Sequence, residues 1–161
     1  MKKTFFIILF FGCFLTSKAQ IKNDSLQVFT FPEVEKLQKK NPKPMLVFIY
    51  TDWCKICYGM KRNTFNNQEI IKKLNDNFYF IKLNAEEKND ITFLGKTFVY
   101  KPNGANSGVH ELAKSLGTKD KKISYPTTVI LNTRLEIDLQ IDSYLDSEKM
   151  NLILNEYLKK N

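Results

Sequence analysis

The apolar run from Met45 to Tyr50 leads almost directly into Trp53-Cys54-Lys55-Ile56-Cys57, and the residues from Cys54 to Phe65 then take up helical spacing. A continuous run of β-formers bounded by turn residues suits a central strand covered on both faces. Such a strand needs a layer of structure on each side. Asn67 can cap a helix whose apolar positions Ile70, Ile71 and Leu74 recur at helical spacing, and Phe78 to Leu83 returns to strand. Parallel strands joined by a helix form a right-handed crossover unit, with chemistry expected at the carboxyl ends of the strands. The cysteine pair lies at that end.

Ignoring the lead-in, the elements of the whole chain, this unit included, run β-α-β-α-β-β-α. Residues Gln20 to Phe31 read as a lead-in with one short strand, and Pro32 to Lys40 as a helix opened by proline in its first turn. The stretch 84–108 is the least regular, with a turn at Lys101-Pro102-Asn103-Gly104 between short extended pieces. Val109 to Leu116 reads as a short helix stopped by Gly117. Pro126 to Leu131 and Leu135 to Ile141 flank Asn132-Thr133-Arg134 as an antiparallel hairpin, and Asp146 can cap a final amphipathic helix carrying Met150, Ile153, Leu154, Tyr157 and Leu158. The expected fold class is therefore α/β, a central mixed sheet with helices on both faces, an N-terminal extension and an insertion around 84–108.

Met1-Lys2-Lys3, the apolar run Thr4 to Leu15 and the small-residue site Ser17-Lys18-Ala19 have the three parts of a secretory signal peptide. The apolar run is about a dozen residues, short of the roughly 20 that cross a bilayer as a helix. The expected division is a signal peptide at 1–19 and one soluble domain at 20–161, exported to the periplasm. A lipid-attachment role for Cys13 is the rival reading, and Phe10-Phe11-Gly12 is a poor flank for it. Removing 1–19 from the 161 residues leaves 142, enough to bury a core without disulfide staples. Only Cys54 and Cys57 then remain. A disulfide closing so short a loop stabilises by only about 2 kcal/mol in the loop-entropy model, so reactivity explains the pair better than a structural framework does.

Loss of Lys2, Lys3 and Lys18 lowers the formal charge of +8 to +5. The remaining lysines are spread along the chain, with pairs at Lys39-Lys40, Lys72-Lys73, Lys121-Lys122 and Lys159-Lys160. A solvated basic surface accounts for them, and no nucleic-acid partner is expected, because such a footprint clusters on one face. Gly95-Lys96-Thr97 matches the end of a phosphate-binding loop, but Asp90 occupies the position of the required first glycine.

A thiolate is the nucleophile of disulfide exchange, and a cysteine at a helix N-terminus has its thiolate stabilised by unpaired backbone N–H groups and the helix dipole. Cys54 is placed to attack, and Cys57, one turn later, to resolve the mixed disulfide that results. Trp53-Cys54-x-x-Cys57 after an apolar strand, the order of elements and the later Tyr125-Pro126-Thr127 together resemble the thioredoxin superfamily. More narrowly, Asp52-Trp53-Cys54 with Met60, Thr64-Phe65, Ile70, Leu74 and Phe78 is similar to exported thioredoxin-like thiol:disulfide oxidoreductases related to the periplasmic reductase domains of membrane electron conductors. The resemblance implies a thioredoxin-like fold and a cis peptide bond before Pro126, facing the cysteines. It also implies a backbone there that pairs with substrate peptide; Tyr125 beside it is a substrate-binding candidate, and Trp53 reads equally as a substrate platform or as an aromatic at the edge of the core. The implied partners are protein disulfides or dithiols and a membrane electron donor.

Two departures from that family matter. Its buried aspartate six positions before the first cysteine is here Phe48, and the residues between the cysteines are Lys55 and Ile56 in place of glycine and proline. Lys55 adds a cation that favours the thiolate, and Asp52 is either a solvated turn residue or a proton relay for Cys57. No cofactor and no metal are expected in the exchange reaction. The alternative is a copper(I) carrier of the same fold using Cys54, Cys57 and His110, since soft thiolates select that ion; zinc would want four ligands. His110, the single histidine, otherwise reads as a packing or capping residue on its short helix.

Overall fold

A computed structural model of the protein describes residues 25–104 and 107–160. The signal peptide read at 1–19 and Cys13 lie outside the described residues.

The chain first forms helix α1 (Phe31–Gln38), in which the Thr30 hydroxyl accepts from the Glu33 N–H and the Glu33 carboxylate accepts from the Thr30 N–H, with proline in the first turn. This reciprocal capping satisfies two backbone donors that would otherwise lack partners. Strand β1 (Met45–Tyr50) follows, then helix α2 (Lys55–Gly59), which continues into a π-helical turn at Met60–Thr64. Helix α3 (Gln68–Asn77) starts at Asn67, whose side-chain carbonyl accepts from the N–H groups of Glu69 and Ile70. Strand β2 (Tyr79–Asn84) completes the crossover and pairs parallel to β1 in the register Met45 with Tyr79 and Tyr50 with Asn84.

The irregular stretch holds two small hairpins, β3 (Ile91–Phe93) with β4 (Lys96–Phe98) and β5 (Tyr100–Pro102) with β6 (Gly108–His110). The turn expected at Lys101-Pro102-Asn103-Gly104 thus begins later, because Lys101 and Pro102 are still in a strand. The helix expected from Val109 begins at Glu111 as α4 (Glu111–Gly117), because Val109 and His110 pair with Lys101 and Tyr100. A further hairpin, β7 (Thr118–Lys119) with β8 (Lys122–Ile123), precedes β9 (Thr127–Leu131), β10 (Ile137–Ile141) and α5 (Ser147–Lys160). Asp146 caps α5 through the Lys149 N–H at 2.8 Å.

The four-stranded sheet runs β10-β9-β1-β2, with β9 antiparallel to both β1 and β10. Alternation along β1 divides the core. Met45, Val47 and Ile49 face Phe31 and Val34 of α1 and Leu112, Ala113 and Leu116 of α4. Leu46 and Phe48 face Cys57 of α2, Ile70 and Leu74 of α3, and Met150 and Leu154 of α5. Helices on both faces of a mixed sheet are the α/β architecture expected from the sequence. Along the free side of β2 the lead-in is tied down by the Phe29 N–H to the Phe80 carbonyl at 2.9 Å, and by Asn75, which accepts from the Gln27 N–H and donates to the Ser25 carbonyl.

The π turn is held from the far end of the chain. The Thr64 hydroxyl donates to the Leu145 carbonyl at 2.6 Å, and the Leu145 N–H lies 3.5 Å from the Met60 sulfur. Thr64 and Leu145 are both buried, so Thr64→Val leaves a carbonyl without its donor in a dry site. It is expected to cost about 1–3 kcal/mol, read as a lower urea midpoint at unchanged slope.

Candidate redox site

The cysteines sit where β1 gives way to α2. The Cys54 N–H bonds the carbonyl of buried Thr51 at 3.3 Å, which turns the chain so that Cys54 becomes the N-cap of α2. Its sulfur accepts the Cys57 N–H at 3.1 Å, an interaction that favours negative charge on Cys54 when the bond is open. In this structure Cys54 and Cys57 form a disulfide. Cys54 is 7% exposed and Cys57 fully buried, so an incoming thiol or disulfide meets Cys54 first.

Trp53 stands out from the surface and meets the Tyr125 ring edge-to-face at a centroid distance of 5.8 Å. Ile56, between the cysteines, and Tyr58, which sequence reasoning did not single out, are also exposed by more than half and add apolar surface along α2. The Tyr125–Pro126 peptide bond is cis. Tyr125 packs against the core layers on both faces of the sheet, including the one that holds both cysteines. Cys54, Cys57, Trp53 and Tyr125 are therefore neighbours, with Pro126 next along the chain.

The flanking charged residues are arranged differently from one another. Lys55 is exposed at the first position of α2. Asp52 is exposed and accepts from the Asn84 side-chain amide at 2.9 Å, which directs it toward the carboxyl end of β2. Beside it the Lys61 ammonium lies 3.5 Å from the centre of the Tyr50 ring. Burial pulls the Lys61 ammonium below its usual range, with Asp52 opposing that shift. Neither Asn84 nor Lys61 carried a signal in the sequence, because each reaches this place from a separate element.

Phe48 is fully buried between the Tyr50 ring, stacked at 5.6 Å, and the Phe65 ring, edge-on at 4.9 Å. The position six before Cys54 is thus filled by an aromatic ring rather than by the acid that the resemblance led one to look for there. His110 has the capping role read for it, one position ahead of the helix rather than within it. It ends β6 and serves as the N-cap of α4, its Nδ1 accepting the Leu112 N–H at 3.2 Å, while its buried Nε2 has no hydrogen-bond partner. Among the described residues no group of three or more His, Cys, Asp or Glu side chains is placed to hold a metal ion, so the grouping of His110 with the cysteines that the copper(I) alternative invoked does not form among them.

Burial, with a smaller push from Glu86, raises the Tyr125 phenol from 10.0 to about 12. The folded state then holds a proton that the unfolded state loses as pH passes 10, so stability falls between pH 10 and 12. Tyr125→Phe is expected to flatten that decline, read as the denaturation midpoint at pH 9 against pH 11.5; an unchanged slope would show that other tyrosines carry it.

The family model described as Thioredox_DsbH, a protein of unknown function (DUF255), matches residues 20–136. Among solved structures, a DsbH oxidoreductase superposes with a TM-score of 0.63 at 16% identity, over 91% of this chain and 94% of that one. A thioredoxin from Thermus thermophilus gives 0.60 at 16% identity over 85% and 90%. A putative disulphide-isomerase from Bacteroides thetaiotaomicron gives 0.58 at 19% over 87% and 98%. At these identities the likeness is one of fold. An uncharacterized protein of Caenorhabditis elegans is 36% identical over 66 residues, and spermatogenesis-associated protein 20 of Mus musculus 34% over 61. These matches take in 41% and 38% of this chain but only 9% and 8% of those much longer proteins.

Proposed function

The chain belongs to the Thioredox_DsbH family, and on that premise we propose that it carries out thiol:disulfide exchange on exported proteins, with Cys54 as attacking thiolate and Cys57 as resolving thiol. The observation that carries this reading is the N-cap position of Cys54, whose sulfur accepts the Cys57 N–H.

In the reducing direction the reduced protein's Cys54 thiolate attacks one sulfur of a substrate disulfide. That S–S bond breaks, the other substrate sulfur leaves as a thiolate and takes up a proton, and a Cys54–substrate bond forms. Cys57, deprotonated, then attacks Cys54, closing the ring and releasing the second substrate thiol. Two electrons pass to the substrate. The same steps in reverse oxidise a dithiol. Trp53 and Tyr125 flank the entry to Cys54 as the substrate platform, and the backbone at Pro126 pairs with the incoming peptide. Lys55 stabilises the thiolate. Asp52, held by Asn84, relays the proton of Cys57 through water in place of the acid that Phe48 displaces.

The signal peptide at 1–19 directs the domain at 20–161 to the periplasm, where a membrane electron donor restores the dithiol. The copper(I) alternative loses His110 and rests on the two thiolates alone.

Cys57→Ser leaves the attack but removes resolution. In cells it is expected to accumulate mixed disulfides that vanish on reduction, with no such species from the Cys54→Ser, Cys57→Ser double variant. A trap that captures nothing, together with a tight 1:1 copper(I) complex of the reduced protein, would favour the carrier.

A further inference from the structure

Lysines that lie far apart in the sequence converge on the face of the sheet away from the cysteines. Lys96 of β4, Lys101 of β5, Lys114 of α4 and Lys121 of the β7–β8 turn line a cleft of about 830 Å³. Val109 and Ile123 also line it, and both pack against the core layer that α1 and α4 cover. The cleft contains one carboxylate, Glu111, and its charge is already taken up. The Val99 N–H donates to it at 3.1 Å, and the Lys101 ammonium lies 3.4 Å away. That N–H, with Lys101 and Lys96 adding to it, holds the Glu111 carboxyl below its usual range. Among the described residues Lys96, Lys114 and Lys121 form no ion pair with a carboxylate of their own. The turn that carries Lys121 places Asp120 and Lys121 in the left-handed backbone region, at φ 48° and 65°. Glycine and asparagine are the easier residues there, so a lysine at the cleft rim comes at the expense of a better turn residue.

We infer that this cleft is a binding site for a small organic anion carrying two or more negative charges, separate from the dithiol. Its volume falls in the range of roughly 300–1,000 Å³ usual for small-molecule sites. Its excess of cations over one neutralised carboxylate excludes cationic ligands. The apolar floor of Val109 and Ile123 takes an organic body, where a bare inorganic ion would leave it uncovered. Lysines act as point charges, so phosphate and carboxylate groups both satisfy them.

Calorimetric titration of the disulfide-closed protein with benzene-1,3,5-tricarboxylate and with pyrophosphate, at low salt, tests the site. Saturable 1:1 binding of the tricarboxylate is expected, with affinity falling as salt is added. The double variant Lys114→Gln, Lys121→Gln should weaken it roughly tenfold. The charge-matched variant Lys39→Gln, Lys40→Gln, at the far end of α1, should leave it unchanged. Ile123→Ala should weaken the tricarboxylate and spare pyrophosphate. Equal losses in the two double variants would reduce the effect to net charge and overturn the site. No saturable heat would do the same, as would a polyglutamate peptide binding more tightly than both small anions.

Discussion

Replacing Cys54 with serine is expected to bring insulin reduction by dithiothreitol down to its uncatalysed rate while the domain stays folded. Serine is itself a good N-cap, so the start of α2 keeps a side-chain acceptor for the Cys57 N–H. The lost disulfide closes a very short loop and takes with it only about 2 kcal/mol in the loop-entropy model. What disappears is the nucleophile. A serine hydroxyl at this position has no thiolate to offer, and Cys57 is fully buried and cannot take its place in meeting substrate. A thermal melt run beside the assay separates loss of chemistry from loss of fold. Activity equal to the unmodified protein would sink the proposed exchange reaction.

The second large effect concerns Phe48. Phe48→Asp restores the acid found in the wider family, yet here it is expected to destabilise the fold by about 3–5 kcal/mol at neutral pH, a drop of roughly 10 °C or more in Tm. The phenyl ring fills a fully buried site between Tyr50 and Phe65, and removing it leaves a cavity. The new carboxylate also enters that site without a cation or hydrogen-bond donor prepared for it. Burial would raise its folded-state pKa, so the loss should shrink as the pH falls and grow as it rises. Denaturation midpoints at pH 4.5 and pH 7.5 read the difference. A variant as stable as the parent at both pH values would mean that the core supplies an unseen partner for an acid.

What the sequence disclosed depended on how local each signal was. The Met45 to Tyr50 run, the Asn67 cap and the Asp146 cap are legible because strand burial and capping are written within a few neighbouring residues. The short hairpins were not, because three-residue strands such as Ile91–Phe93 have no periodicity to read and are defined by their partners. Val109 and His110 adjoin the helical stretch in sequence, and for the same reason only their pairing with Lys101 and Tyr100 makes them a strand. The π turn at Met60–Thr64 carries no pattern distinct from the α-helix before it. At the site, Cys54, Cys57 and Trp53 are adjacent in sequence and so were visible together. Tyr125 was reached through family resemblance, while Asn84, Lys61 and the cleft lysines needed the fold to collect them.

The position of β1 at the centre of the sheet has a consequence for the order of assembly. One neighbour, β2, arrives soon after it, but the other, β9, comes only with Thr127 to Leu131. A chain emerging N-terminus first therefore holds its two sulfurs on a nascent helix well before the second half of the sheet exists to bury one of them. Contacts of such long sequence separation close late and slow the final step. During that interval Cys57 lacks the cover that β9 and the elements after it complete, whereas in the finished domain it is fully buried and Cys54 alone of the two meets an incoming thiol.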